Sequence, residues 1–142
     1  MYEKRGRKIK ALLEERNFDA YVVKQEGNVR YLCCSHVPSF PLVSCVIIPK
    51  KGAPMAVAPS LEEFRAREEC AIDEIYIFSE YPGVKCDGIK VDALVTKILK
   101  GRKLSKVLID VKQKLAGIHA KEDSFVFKMR EVKEPEEIRK IN

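Results

Sequence analysis

Leu42-Val-Ser-Cys-Val-Ile-Ile48, followed by Pro49-Lys-Lys-Gly-Ala-Pro54 and Met55-Ala-Val-Ala58, is the stretch that decides the fold. A nearly continuous apolar run is what a strand needs when both faces of its sheet are covered. The prolines, lysines and glycine that follow turn the chain. Met55–Ala58 then returns beside the first strand as a hairpin.

Working outward, the remaining segments alternate between helix and strand. Upstream, Ile9, Leu12 and Leu13 give an amphipathic helix that stops near Asn17. Asp19–Lys24 reads as a strand, Gln25–Leu32 as a brief helical turn, and His36–Pro41 as a loop broken by two prolines. Downstream, Ser60 and Glu63 form a capping-box pattern. The pattern opens a helix with Leu61, Phe64 and Glu68 on a shared side, ending near Ala71. Glu74–Phe78 alternates like a strand, and Tyr81-Pro-Gly83 is a turn. Val91, Leu94, Val95, Ile98 and Leu99 mark the clearest helix, with Gly101 as its cap. Lys106–Asp110 is a short buried strand, Lys112–Ala120 a weaker helix, and Phe125–Met129 the last strand. One hairpin among crossover units predicts an α/β fold with a mixed β-sheet of about six strands flanked by helices.

The 142 residues suffice for one domain with its own core. A composition of 46% hydrophobic and 34% charged residues excludes a disordered tail. No apolar run approaches the ~18 residues of a membrane span. The basic N-terminal stretch is not followed by the apolar segment of a signal peptide. Five cysteines without regular spacing argue against a disulfide framework and for reduced thiols in a cytoplasmic protein. The net charge of +6 raises an anionic partner such as nucleic acid, but the basic residues are spread along the chain among acids. Solvated faces explain that pattern better, so neither nucleic acid nor a membrane is the expected partner.

Chemistry-bearing motifs are scarce. Cys33-Cys-Ser-His36 is the one cluster that invites a metal. Adjacent cysteines rarely share one tetrahedral ion, and no second pair completes a site. A glycine-rich phosphate loop and a GxSxG elbow are both missing from the sequence. Acidic pairs such as Glu62-Glu63 and Glu68-Glu69 fall on predicted helices among basic residues, as solvated faces do. No catalytic residue and no cofactor is expected within the chain.

The segment Met129–Asn142 reads as the start of a helix. Pro135 suits the first position and Glu136 and Glu137 suit the positive end of the helix dipole. Ile138 and Ile141 begin an apolar stripe. A helix this short has little stability of its own. The expectation is a front piece of a longer protein; a frayed terminal helix is the alternative.

Two segments carry a family resemblance. Asp19-Ala-Tyr-Val-Val followed by Asn28-Val-Arg-Tyr-Leu32 is similar to a signature of the creatinase/prolidase (Xaa-Pro peptidase) family's N-terminal domain. Arg130-Glu-Val-Lys133 with Glu136-Glu-Ile138 resembles the junction that opens that family's linker helix. The departure is Cys33-Cys34, where relatives carry Thr or Ser then Gly. The resemblance implies a ribonuclease H-like α/β domain over 1–130 and the start of a linker helix over 131–142. It further implies a non-catalytic part of a proline-specific metallopeptidase, an Xaa-Pro dipeptidase or aminopeptidase. The divalent metal pair would lie in a C-terminal catalytic domain beyond this chain. The domain would contribute to a homodimer and shape access for proline-containing peptides. Arg30, His36 and Phe40 are the candidate wall residues for substrate access. Arg130, Lys133 and Glu137 are assigned to the domain junction. Asn28 is expected to cap or turn its short helix, and Tyr31 to anchor it against the sheet. A stand-alone binding module and a creatinase-like hydrolase stay open as alternatives.

Overall fold

The computed structural model describes residues 2–33 and 43–132. Six strands form one mixed sheet: β1 (Ala20–Val23), β2 (Cys45–Pro49), β3 (Met55–Pro59), β4 (Glu74–Phe78), β5 (Lys106–Ile109) and β6 (His119–Glu122). Their spatial order is β4-β3-β2-β1-β5-β6. The hairpin is present, with Cys45 opposite Val57 in an antiparallel pair. β1 is antiparallel to β2, and parallel to β5 with Ala20 beside Val107. β3–β4 and β5–β6 are parallel.

Helices cover both faces: α1 (Tyr2–Arg16), α2 (Glu26–Cys33), α3 (Glu63–Glu69), α4 (Val91–Gly101) and α5 (Phe125–Glu131). Alternation along β1 sends Tyr21 and Val23 to one side, where Ile9, Leu13, Val29, Leu32 and Val126 pack. Ala20 and Val22 face the other side, against Leu94, Val95, Ile98 and Leu99 of α4. All four β1 positions are buried, as are those of β2, which is why both strands are apolar throughout.

Several expectations are corrected. The segment 112–120 is not a helix: Gly117 adopts φ 74° in a tight turn from Leu115 to Ile118, and β6 follows. β6 is an edge strand with mostly exposed side chains, so it carries no apolar alternation to read. Phe125–Met129 is helical, not the last strand. The Asp123 carboxylate accepts the Phe125 N–H at 2.8 Å and starts α5, and Val126 is buried. β propensity of Phe-Val-Phe gives way there to tertiary packing. Helix α4 is terminated by Lys103 at φ 60°, not by Gly101, which is its last residue. The Leu104 N–H reaches back to the Leu99 carbonyl at 2.8 Å, so the left-handed residue must fall two places beyond Gly101. Asn17, at φ 58°, does end α1 as read.

The capping box at Ser60 and Glu63 does not form. A 3-10 turn, Ser60–Glu62, precedes α3 without a side-chain cap. Leu61 and Phe64 point outward, 77% and 74% exposed, while Ala66 packs inward. The Gln25–Leu32 turn is a full helix of eight residues.

Candidate functional site: a polar junction beneath helix α2

The parallel pairing of β1 with β5 brings the ends of both strands together. Asp110 follows β5 directly and is 5% exposed. Its carboxylate accepts the Lys24 N–H at 2.8 Å and the Gln25 N–H at 3.0 Å. A carboxylate at the positive end of a helix is favoured electrostatically, and here it comes from a residue distant in sequence. Gln25 adds a local cap, its Oε1 accepting the Asn28 N–H at 2.8 Å.

Asn28 is fully buried inside α2 and is not a cap, which corrects its expected role. Its Nδ2 donates to Asp110 at 2.9 Å, and its Oδ1 accepts from Arg130 Nη1 at 2.9 Å. One amide thus serves a carboxylate and a guanidinium on opposite sides, which neither Asp nor Leu can do. Arg130 Nη1 also reaches Gln25 Oε1 at 3.3 Å. Its guanidinium lies on Gly27, where an added Cβ would stand 2.7 Å from both terminal nitrogens. Glycine at 27 thus leaves room for the guanidinium, and a side chain there would make Arg130 shift.

Tyr31 packs against the core on this face of the sheet, as expected, and is also held from two helices. Arg5, itself buried, stacks over its ring at 3.6 Å. The Tyr31 hydroxyl donates to the Met129 carbonyl at 3.4 Å. Helix α2 is so fixed between α1 and α5.

Of the sequence-derived candidates, Arg130 takes part in this polar cluster within the domain. Arg30 stands apart, paired with Glu26 one helical turn away at 2.9 Å. His36, Phe40, Lys133 and Glu137 lie outside the described residues, as do the loop 36–41 and the expected linker helix. Sequence reasoning missed Asp110, Gln25 and Gly27. The available signal was an acid ending the apolar run Val107-Leu-Ile109.

Two neighbouring networks frame the junction. Lys24 Nζ donates to Asp92 and, at 2.7 Å, to Gln113. Burial opposes the charge on Asp92, but hydrogen bonds from Lys24 and Gln113 outweigh it and hold that carboxyl below its usual range. Tyr21 donates to Asp123 at 2.8 Å, and Arg16 pairs with the same carboxylate at 2.7 Å. Burial, reinforced by the Asp123 hydrogen bond and charge, pushes the Tyr21 hydroxyl far above the usual 10.0. A folded value above the unfolded one means stability is full below pH 10 and falls as pH rises past it. Tyr21→Phe should flatten that fall between about pH 9 and 11 by a measurable fraction; an unchanged slope in urea titrations would refute the assignment.

Among the described residues no group of three or more His, Cys, Asp or Glu could hold a metal ion, and no helix is long and apolar enough to cross a membrane.

Comparison with known proteins places this geometry. The sequence model of the creatinase/prolidase N-terminal domain matches residues 5–131. No curated protein matches the chain. Among solved structures, a prolidase from Pyrococcus horikoshii aligns with a TM-score of 0.70 at 22% identity, covering 96% of this chain and 37% of that one. An Xaa-Pro aminopeptidase from Streptococcus pyogenes aligns at 0.69 and 18%, covering 91% and 97% respectively. An Xaa-Pro dipeptidase from Bacillus anthracis aligns at 0.70 and 15%, covering 98% and 38%. At these identities the likeness is one of fold. The chain spans little more than a third of the prolidase and the dipeptidase.

Proposed function

Because the chain belongs to the creatinase/prolidase N-terminal domain family, we propose that it is the non-catalytic front domain of a cytoplasmic proline-specific metallopeptidase, helping to form a homodimer and to shape substrate access. The reaction of the parent would be hydrolysis of the bond before proline in dipeptides or peptide N-termini. The observation that carries this reading is the hydrogen bond from Arg130 to Asn28. It ties the signature segment that leads into residues 30–41 to the segment from which a catalytic domain would continue. A rigid polar core that holds α2 and α5 together suits a domain that positions rather than reacts.

The divalent metal pair of such a peptidase would sit in the C-terminal domain and supply an activated water there. None of the described residues of this chain is assigned to it. Their part is to orient α2 and the exit of α5. Arg30, His36 and Phe40 would limit the length of peptide admitted; Arg130, Lys133 and Glu137 would fix the angle between domains. Basic side chains at 16, 24, 30, 67 and 102 are taken up in ion pairs with acids, which favours this reading over a nucleic-acid binder.

The test is kinetic and uses the full-length parent. His36→Ala and Phe40→Ala should leave kcat for an Xaa-Pro dipeptide within about twofold while changing KM for longer peptides several-fold. Identical length preference in wild type and variants would remove both residues from the access role. Absence of any Xaa-Pro hydrolysis by the metal-loaded parent would remove the peptidase reading itself.

A further inference from the structure

The ends of helices α2 and α3 meet, and each carries a cysteine. Cys33 is the last residue of α2 and opens the pair Cys33-Cys34, where the chain departs from the family signature. Cys70 follows α3 directly, in extended conformation at φ −77° and ψ 136°. The Ala71 N–H donates to the Cys33 carbonyl at 3.0 Å, which sets the two helix ends side by side. The Cα atoms of Cys33 and Cys70 are each two covalent bonds from an atom of that hydrogen bond. They are therefore within about 8 Å of one another.

The two side chains also share one environment. Cys33 is 1% exposed inside the core cluster beneath α1 and α2, and Cys70, partly buried, packs against the same cluster. Disulfides join cysteines whose Cα atoms are about 4.4–6.8 Å apart, a range inside this bound. Other described cysteines are placed differently. Cys45 is fully buried on the opposite face of the sheet, and Cys86 Sγ donates to the Gly88 carbonyl at 3.2 Å. Partial exposure lets a small solute reach Cys70, while Cys33 is shielded from solvent.

We propose that Cys70 and Cys33 are a dithiol that closes to a disulfide when the chain meets a small-molecule disulfide such as oxidised glutathione. The Cys70 thiolate attacks one sulfur of glutathione disulfide, forming a mixed disulfide and expelling one glutathione thiolate. The Cys33 thiolate then attacks the Cys70 sulfur and expels the second glutathione. Two cysteine thiols are oxidised and one glutathione disulfide is reduced, and the two cysteine protons end on the two glutathiones. The bond staples α2, which carries Asn28 and Tyr31, to the crossover between β3 and β4. It is independent of the peptidase reading, since neither sulfur is assigned to substrate, metal or domain junction.

Glutathione redox titration of the 142-residue chain tests it. The oxidised chain should lose the mass of two hydrogens, and its non-reducing peptide map should link Cys33 to Cys70. Dithiothreitol should reverse both. A chain carrying Cys34→Ser and Cys86→Ser should close the same bond, and Cys70→Ser should abolish it. The constant for closing the bond should be higher in native buffer than in strong urea by roughly tenfold or more, because the fold holds the sulfurs together. A glutathione adduct on Cys70 that never resolves overturns the pairing, as does a map that joins Cys70 to any other cysteine. A closing constant no higher in buffer than in urea marks pairing in the unfolded chain and overturns it as well. Mapping of the wild type needs no core substitution, so a variant that fails to fold cannot imitate these results.

Discussion

Asp110→Ala should lower the unfolding free energy by about 3–5 kcal/mol, among the larger effects a single substitution produces. The side chain is almost wholly buried, and three donors converge on it: two backbone N–H groups at the start of α2 and the Asn28 amide. A hydrogen bond to a charged acceptor contributes roughly 1.5–3 kcal/mol, and donors left bare in the interior keep their full desolvation cost. Urea unfolding at pH 7 measures it. The midpoint should fall with little change in slope, because the exposed surface of the unfolded chain is the same. A loss under about 1 kcal/mol would mean that water replaces the carboxylate and that α2 is not held from β5.

The second large effect is Asn28→Asp. The substitution keeps shape and volume but turns the donor that faces Asp110, 2.9 Å away, into a second carboxylate oxygen. Two buried carboxylates at that separation cannot both ionise cheaply. The remaining bond to Arg130 offsets part of the cost, leaving a net loss of about 3 kcal/mol at neutral pH. The sign of the pH dependence follows. Mutual repulsion raises the folded carboxyl pair above its unfolded value of roughly 4, so stability is fullest below that value and is lost as pH climbs. The variant should therefore recover most of its deficit between about pH 7 and pH 4, opposite to an ordinary acid-sensitive domain. Stability that falls in parallel with wild type over this range would contradict the arrangement. Arg130→Leu provides the matching control: combined with Asn28→Asp, it should remove the compensation and deepen the loss.

The parts of the fold that could be read in advance are those whose burial is symmetric or periodic. Leu42–Ala58 was legible because β2 and β3 are covered on both faces, and α4 because Leu94, Val95, Ile98 and Leu99 recur at helical spacing. β6 was not, since an edge strand written His-Ala-Lys-Glu pays nothing for exposing its side chains. α5 was misread because Phe125-Val-Phe127 has strand-like residues but takes its helix from Asp123 and from the packing of Val126. The junction was half legible. Arg130 was read as part of a junction between domains rather than of this cluster, and Asn28 stood inside the signature segment, but their contact spans most of the chain and has no local trace. Gly27 shows why: the space beside it is taken by a guanidinium from the far end of the sequence.

The central place of β1 has a consequence for how the chain is made. Its partner on one side, β2, follows closely, whereas on the other side Ala20 waits for Val107. On a ribosome the β2–β3 hairpin can close early, but the second edge of β1 stays open until β5 has emerged. Contacts of such long sequence separation are slow to form, and an unpaired apolar strand edge invites pairing with another chain meanwhile. Synthesis of this domain thus holds the second edge of Tyr21-Val-Val23 open until β5 arrives, and interruption of translation between β3 and β5 would leave an aggregation-prone intermediate.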